Sequence, residues 1–447
     1  MWESFIETVT KVNDWVNGVV WGWPMIVMIL GTGILLTVRT KVLQVRKFGE
    51  SLSSTIVPVV KGIGKKQGKR DKNSVSQFEA FSAAISGTVG TGNIIGVTSA
   101  ILTGGPGAVM WMWISAFVGM VTNYSENVLG LYYRRKEKDG SFSGGAFYYI
   151  AYGLKQNWLG LLAAVFCLLA ATGMSGVQTN KITGSFISVL NTDETWVKLL
   201  IGSVVALFAA VVIIGGIKRI GRIASMLVPF MSVLFIVMSF IIIGKNIGAV
   251  PETFRLIFSS AFSAKAVAGG VGGFVFSQII KKGLARGVFS NEAGLGSSVI
   301  AHSASETREP VKQGLWGIFE VFFDTFVICT LTALVVLTTN IGNGSYENGS
   351  FFGTTNAAGE FVSASDSATS LSAFSSNLGT FGTVTFLIIL PLFAFTTILA
   401  WSYYGEKAMD FCFRNTSEKS RKTATMIFKV AYILLIVFSS LIGSDLI

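Results

Sequence analysis

The sequence predicts an all-α polytopic membrane protein in two halves, each opening with an interrupted membrane-spanning helix. Of its 447 residues, 51% are hydrophobic and only 13% are charged, and the mean hydropathy is +0.62. Apolar runs of about 20 residues, the length that spans a bilayer, recur along the chain. Glycine-rich interruptions fall in two of them, at 86–93 and 269–273. Paired interruptions in the two halves of a hydrophobic chain are typical of the binding site of a secondary transporter.

Ten membrane spans follow from the apolar runs. Their approximate limits are 17–38, 77–102, 107–133, 157–190, 196–216, 222–244, 266–285, 312–340, 379–405 and 424–443. Trp15, Trp21 and Trp23 lie where an interfacial aromatic belt is expected. Acidic rather than basic residues precede the first span, and no small-residue cleavage site follows it. We therefore expect a retained helix and not a signal peptide.

Basic residues collect in alternate loops, which predicts the orientation of the chain in the cell membrane. The loop 39–75 holds ten lysines and arginines, and we expect it to be cytoplasmic. The same side is predicted for Arg134–Lys138, Lys218–Arg222, Lys281–Arg286 and the basic residues after Lys407. The N-terminus and Ile447 are then extracellular. Because the net charge of +11 follows this alternation, we expect membrane lipid and not nucleic acid as a partner.

Four parts of the chain are predicted. Residues 1–38 form an extracellular N-terminal segment with an additional transmembrane helix, and residues 39–75 form the basic cytoplasmic loop. Residues 76–244 and 245–447 form two repeats. The second repeat has four spans where the first has five, so we expect its last core helix to be missing from this sequence.

The interruption at 86–93 offers two kinds of ligand in mid-membrane. The backbone carbonyls of Ser86–Val89 suit a cation or an ammonium group. The free amides of Thr91–Asn93, at the start of a half-helix, suit a carboxylate. Tight helix packing is the alternative, because Gly92 and Gly96 form a small-xxx-small motif.

The second interruption, Gly269–Gly273, is followed by Phe274 and Gln278. Exposed carbonyls there would face a substrate amine while an aromatic ring covers it. A tight helix crossing or an extracellular loop end is the alternative.

In the ninth span, Thr396, Thr397 and the Phe393 carbonyl offer three oxygen ligands for a monovalent cation. The alternative is that both hydroxyls bond their own backbone carbonyls. Trp401 lies one turn beyond Thr397, where it would limit the size of a neighbouring ligand.

Other polar residues leave few functions open. Cys167, Cys329 and Cys412 fit neither a disulfide framework nor a metal spacing, and we interpret the single histidine, His302, as structural. No enzyme is therefore expected. Glu126, Glu320 and Asp324 keep a proton-coupled carrier open as an alternative, since intramembrane carboxylates are costly to bury. A passive channel lined by hydroxyls and carbonyls is a further alternative.

Several motifs resemble the alanine/glycine:cation symporter family. They are Gly90–Asn93, Gly104–Trp113, Gly176–Asn180, Arg286–Gly296, Phe393–Thr397 and Tyr403–Glu406. Gly90–Asn93 with Gly104–Ala108 is also similar, more distantly, to the first broken helix of the neurotransmitter:sodium symporters.

This resemblance implies a five-plus-five inverted-repeat fold of the leucine-transporter type with discontinuous first and sixth core helices. It further implies symport of alanine or glycine with a co-transported sodium ion. The sodium ligands would be Ser86, Val89, Phe393, Thr396 and Thr397. The residues expected at the substrate are Thr88, Thr91, Gly92, Asn93, Gln178, Gly269, Gly270, Phe274, Gln278 and Trp401.

Overall fold

The computed structural model describes residues 2–62, 75–137, 140–262, 270–344, 353–355, 361–363 and 365–442. Long helices dominate this part of the chain, as the apolar runs predict. Two short antiparallel hairpins, β1 (Arg135–Lys136) with β2 (Phe142–Ser143) and β3 (Gly353–Thr355) with β4 (Phe361–Ser363), lie between them.

The described residues of the first half form eleven α-helices. They are α1 (Trp2–Val20), α2 (Trp23–Arg39), α3 (Leu43–Arg46), α4 (Phe48–Gly62), α5 (Gln77–Thr88), α6 (Val97–Gly104), α7 (Ala108–Tyr133), α8 (Ala146–Tyr148), α9 (Asn157–Leu190), α10 (Thr195–Ile213) and α11 (Gly216–Lys245). Two π-helical segments, Gly92–Gly96 and Tyr149–Gly153, precede α6 and α9.

The second half begins with a 3₁₀ turn, Ile247–Ala249. Its α-helices are α12 (Val250–Ala261), α13 (Gly270–Asn291), α14 (Ser298–His302), α15 (Pro310–Val321), α16 (Thr330–Gly342), α17 (Asp366–Cys412) and α18 (Glu418–Ser439). A π-helical segment, Phe322–Cys329, joins α15 to α16, and α17 bends at Gly379.

Eight of the ten predicted spans are confirmed by length and apolar composition. Seven helical stretches of the described residues are long and apolar enough to cross a membrane, and the bent pair of α5 with the helix Gly92–Gly104 makes an eighth. The two remaining predicted spans correspond to α7 and α13. Both are helical and pack against each other, but neither has a stretch long and apolar enough to be counted with the other eight.

The predicted interruption of the first core helix is confirmed. Ser76 and Glu79 form a capping box that starts α5, whose residues from Ala80 to Thr88 are all buried. The helix ends at Thr88, Val89 is extended, and the chain resumes as a π-helix with a 48° bend. The break is shorter than predicted, since Ser86–Thr88 remain helical.

The second interruption exists but its predicted position is wrong. Gly270–Gly273 form the first turn of α13, and Gly269 lies outside the described residues. The sixth core helix is instead broken between Asn291 and Ser298. Glu292, Gly294 and Gly296 have positive φ angles of 54°, 92° and 73°, which end one helix before the next begins.

The predicted sidedness needs one correction. Arg134 bonds the carbonyl of Ser305, and Lys407 and Arg421 bond Ser143 and Glu137, so these basic residues share one end of the bundle. Lys282 lies elsewhere: its side chain packs against Gly104, beside the α6–α7 loop at the opposite end. Lys281, Lys282 and Arg286 therefore belong to a helix and not to a loop on the basic side.

Candidate functional site

Three helices meet at the two interruptions and enclose a small cavity. The first break lines it with Gly87, Thr88, Gly90 and Gly92, α9 with Met174 and Gln178, and the second break with Phe289, Ser290 and Glu292. Its volume is about 10 Å³, room for roughly one water molecule. Backbone freed by a helix break is tolerated at membrane depth where it faces such an enclosed polar space.

A cluster of oxygens joins the first break to α17. The Thr397 hydroxyl oxygen lies 3.0 Å from the carbonyl oxygen of Ser86 and 3.0 Å from that of Phe393. The Thr396 hydroxyl also donates to the Phe393 carbonyl, at 3.0 Å. One hydroxyl hydrogen on Thr397 cannot fully satisfy two carbonyls at once. The cluster therefore has more oxygen lone pairs than hydrogen-bond donors. Oxygen ligands of this kind suit a hard cation.

Two glycines allow α17 to approach the break this closely. A Cβ atom on Gly90 would lie 2.5 Å from the Thr397 hydroxyl oxygen, and one on Gly87 would lie 2.7 Å from the hydroxyl of Tyr404. Tyr404 in turn donates to the carbonyl of Ala84, at 3.4 Å. The glycines predicted from the sequence as helix breakers thus also make room for the facing helix.

Gln178 on α9 accepts hydrogen bonds from both the amide and the hydroxyl of Thr91. Its Oε1 atom accepts from the Thr91 hydroxyl at 2.8 Å and from the Thr91 amide at 3.3 Å. Both residues are buried. An oxygen that binds the amide and hydroxyl of one residue imitates a ligand carboxylate, so these donors are available to any carboxylate that displaces Gln178.

Asn93 links the two breaks through a buried polar chain. Its Oδ1 atom accepts from the amide of Gly90 at 2.9 Å, and its Nδ2 atom donates to Asp324 at 2.5 Å. Thr325 donates to the other oxygen of Asp324 at 2.9 Å and accepts from Asn291 at 3.1 Å. The end of α13 is thereby tied to the restart of the first core helix.

Glu292 is the acidic residue of the cavity, and it is not among the site residues predicted from the sequence. It is 2% exposed, accepts from the Ser297 hydroxyl, and faces the indole N–H of Trp401. That N–H makes no hydrogen bond to any described residue. The motif Arg286–Gly296 contains Phe289, Ser290 and Glu292. The two glycines that follow Glu292 were the signal that could have marked the break.

The structure brings most of the predicted residues together. Thr88, Gly92 and Gln178 line the cavity, Thr91 and Asn93 are bonded beside it, and Ser86, Phe393, Thr396 and Thr397 form the oxygen cluster. Val89 is the extended residue of the bend, with its amide bonded to the Ile85 carbonyl at 2.8 Å.

Three predicted residues lie away from the second break. Gln278 precedes Asn291 by thirteen residues of continuous helix, which is roughly 20 Å. Phe274 and Gly270 are farther still along α13. The structure does not bring Gln278 to the cavity, where Phe289 stands instead.

Comparisons with known proteins agree with this architecture. The model of the sodium:alanine symporter family matches residues 6–447. The sodium/alanine symporter AgcS of Methanococcus maripaludis is 39% identical over 411 residues, which cover 91% of this chain and 84% of AgcS. The amino-acid carrier protein AlsT of Bacillus subtilis is 32% identical over 449 residues, covering 100% of this chain and 86% of AlsT.

A solved structure shows the same fold. MhsT in complex with L-phenylalanine has a TM-score of 0.59 and 15% identity, over 83% of this chain and 81% of MhsT. The fold and the paired interruptions define a polytopic membrane protein of the leucine-transporter type, with five-plus-five inverted repeats and an additional N-terminal helix. The chain belongs to the sodium:alanine symporter family, which is a family of transporters.

Proposed function

We propose that this protein is a sodium-coupled symporter that takes up alanine and glycine by alternating access. One observation carries the proposal. Both helix interruptions line a single buried cavity with glycine backbone, two hydroxyl groups and a carboxylate, and α9 adds an amide side chain. A ligand held there contacts both repeats at once, which is how a site between inverted repeats couples binding to their relative movement.

The polar groups of the cavity suit a zwitterion. The Glu292 carboxylate attracts the ammonium group, and the amide and hydroxyl of Thr91 receive the carboxylate in place of Gln178. A negative charge at the ammonium end and two hydrogen-bond donors at the carboxylate end offset the cost of removing the ligand from water.

The walls of the cavity favour a small side chain. The space holds roughly one water molecule, and Met174 and Phe289 close it. Trp401, which is only 6% exposed, adds a rigid ring next to Glu292. Alanine and glycine require the least expansion of this space, whereas a branched side chain would collide with the rings.

The oxygen cluster of Ser86, Phe393 and Thr397 supports sodium as the coupling ion. A cation there bonds the first core helix to α17. It holds the carbonyl end of α5 in place while the substrate holds the amides that follow. The ion and the substrate therefore stabilise the same closed arrangement, and each raises the affinity for the other.

Uptake by the purified protein in liposomes tests the proposal. Radiolabelled alanine should accumulate when an inward sodium gradient is imposed and should not accumulate when potassium replaces sodium. Glycine should compete, and leucine should not. Uptake that equilibrates without ever concentrating alanine would show a passive channel and overturn the proposal.

Proton coupling is the second candidate, and Asp324 favours it. Asp324 is fully buried and bonded to Asn93 at the first break. The other two carboxylates considered for proton coupling, Glu126 and Glu320, bond groups outside the first break. Glu126 accepts from the amide of Gly294, and Glu320 bonds His302 at 2.8 Å. Accumulation of alanine driven by a pH gradient in sodium-free buffer, and its loss in Asp324→Asn, would establish this candidate instead.

A further inference from the structure

A second cleft lies beyond the cavity, at the end of the bundle that carries the α6–α7 loop. Its volume is about 530 Å³. The residues that line it are Asn17, Gly18, Trp21, Gly96, Ser99, Ala100, Thr103, Lys281, Lys282, Ala285, Arg286 and Phe289. We call this space the basic cleft. It is large enough for an amino acid, and the site described above does not include it.

The charge of the basic cleft has one sign. Lys281, Lys282 and Arg286 line it, and no acidic residue does. Among the described residues, no carboxylate forms an ion pair within 4.0 Å of these three side chains. Positive groups that converge in a cleft with low-dielectric walls raise the local concentration of anions.

Arg286 is positioned to bind an anion. Its Nη2 atom donates to the Gly92 carbonyl at 2.6 Å, while its buried Nε atom has no partner among the described residues. The guanidinium occupies the space beside Gly96, where a Cβ atom would come within 0.8 Å of Nη2. One donor of the guanidinium thus fixes its position and others remain unused, and such a planar group binds carboxylates in a bidentate manner.

Phe289 separates the basic cleft from the cavity. Its ring lines both spaces, lies 5.2 Å from the guanidinium carbon of Arg286, and packs edge-on against Trp21 at 5.8 Å. A ligand held by Arg286 is therefore one aromatic ring away from Gly92 and Thr91. Trp21 lies in the turn between α1 and α2, so the N-terminal segment completes the wall of the cleft.

We propose that the basic cleft is a loading site, in which the carboxylate group of an amino acid is held before the molecule passes Phe289 into the cavity. This proposal rests on the proposed function for the identity of the ligand. The cleft supplies charge attraction for a carboxylate and no partner for an ammonium group. Alanine and glycine carry no net charge, so the cleft orients them by binding the carboxylate group, with the ammonium group turned away from the three basic side chains. It does not select the side chain, and selection is left to the cavity.

Kinetics of the variant Lys281→Gln/Lys282→Gln test the proposal. At low ionic strength, with osmolarity balanced by sucrose, the KM for alanine should rise about tenfold, as expected when a charge-assisted contact to its carboxylate group is lost, while Vmax stays within about twofold. Added salt should remove most of this difference by screening. Lys198→Gln is the matched control, because Lys198 pairs with Asp193 and does not line the cleft. A KM equal to that of the parent protein would overturn the proposal.

Binding can also be followed without transport. Thr103 is exposed at the rim of the cleft, so Thr103→Cys should react with a thiol reagent that does not cross membranes. Propionate, a carboxylate without an ammonium group, should slow this reaction, and the double glutamine background should abolish the effect. Ser259→Cys on α12 is exposed and outside the cleft, and its labelling should not respond.

The labelling experiment separates the sources of the anion. If labelling of Thr103→Cys slows in vesicles that contain phosphatidylglycerol and ignores propionate, the cleft binds a lipid headgroup and the loading site is refuted. A wild-type protein that takes up no amino acid would refute the proposed function. Slowing by propionate would still identify a carboxylate site in that case, so the two failures are distinguishable.

Discussion

The hydroxyl oxygen of Thr397 lies 3.0 Å from the carbonyl oxygen of Ser86, a residue 311 positions earlier in the chain. This contact joins the last turn of α5 to the middle of α17 across the two repeats. It depends on a hydroxyl at position 397, on a helix that ends after Ser86, and on the absence of a side chain at Gly90. The proposed ion site can therefore be tested by single substitutions at Thr397 or Gly90.

Thr397→Val should weaken sodium activation of alanine uptake by at least about tenfold. Valine keeps the shape of threonine and removes the hydroxyl oxygen that lies between the carbonyls of Ser86 and Phe393. Loss of one ligand of a charged group costs about 1.5–3 kcal/mol, which corresponds to roughly ten- to a hundredfold in affinity. The measurement is the sodium concentration that gives half-maximal uptake.

Thr385→Val is the control for this change. Thr385 lies on the same helix, is 5% exposed, and among the described residues bonds only the carbonyl of Phe381, at 2.7 Å. Its sodium dependence should match that of the parent protein. If Thr397→Val also keeps the parental sodium dependence, the oxygen cluster is not an ion site.

The first break was predicted at its correct position from the sequence, and the second was not. Gly87, Gly90 and Gly92 interrupt an apolar run within six residues, and neither half alone spans a bilayer. Gly269–Gly273 look similar in sequence, but Gly270–Gly273 form the first turn of α13. The N–H groups of a first turn have no intrahelical partner, so glycine there breaks no helical hydrogen bond. Glycine content alone does not distinguish a helix start from a helix interruption.

Charge misled the placement of the end of the seventh span. Lys281, Lys282 and Arg286 resemble the start of a cytoplasmic loop, so the seventh predicted span ended at 285. In the structure these side chains line the basic cleft, which removes the cost of placing them on a core helix. Contacts between distant segments, such as the one between Gln178 and Thr91, are set by tertiary packing and leave no local pattern in the sequence.

Gly90→Ala should abolish transport while leaving most of the protein folded. The new Cβ atom would lie 2.5 Å from the Thr397 hydroxyl oxygen and 3.3 Å from Nε2 of Gln178, so the side chains of Thr397 and Gln178 must both move away from the first break. Overpacking of this kind costs about 1–3 kcal/mol. Uptake and thermal unfolding of the purified variant are the measurements. Gly173→Ala, with no atom within 4 Å of its Cβ, should behave as the parent protein in both, and transport by Gly90→Ala would contradict the tight approach of α17.

Trp401→Ala should widen the range of substrates. The indole faces Glu292 beside the cavity and packs against Tyr404 with ring centroids 5.3 Å apart. Its removal creates space for a larger side chain, at a stability cost of about 3–5 kcal/mol for a buried aromatic residue. Competition of alanine uptake by leucine and methionine is the measurement. The exposed residue Trp158 provides the control variant Trp158→Ala, and a Trp401→Ala protein that still rejects both competitors would show that the ring does not limit size.

Glu292→Gln should raise the KM for alanine by at least about tenfold. Glutamine keeps the size of the side chain and its bond from Ser297, but it removes the negative charge that we propose attracts the ammonium group. A simple loss of packing would lower the amount of folded protein instead. Affinity for alanine and the melting temperature should therefore be measured together. Unchanged affinity in a stable variant would assign the ammonium group to another partner.

Arg134→Gln should open the end of the bundle that carries the basic residues. Arg134 follows α7 and donates to the carbonyls of Ser303, Ser305 and Thr307, at 3.1, 2.5 and 2.6 Å. These carbonyls belong to the segment after the second broken helix, and Val75, just before the first broken helix, pairs with Ser305 in a β-bridge. The guanidinium thus holds the segment after the second broken helix, and the β-bridge joins that segment to the start of the first. Burial lowers the pKa of Arg134 to about 10, so the group stays charged at neutral pH and the closure should not change between pH 6 and 8.

Labelling of a cysteine behind this closure measures the effect. Ala304 is 5% exposed, and Ala304→Cys should react slowly with a thiol reagent applied from that side. Each charge-assisted hydrogen bond contributes about 1.5–3 kcal/mol, so its loss in Arg134→Gln should speed the reaction by at least about tenfold. Arg135→Gln is the matched control, because the neighbouring guanidinium lies over the Tyr152 ring and contacts none of the three carbonyls. Equal labelling rates in the two variants would show that Arg134 does not hold this end shut.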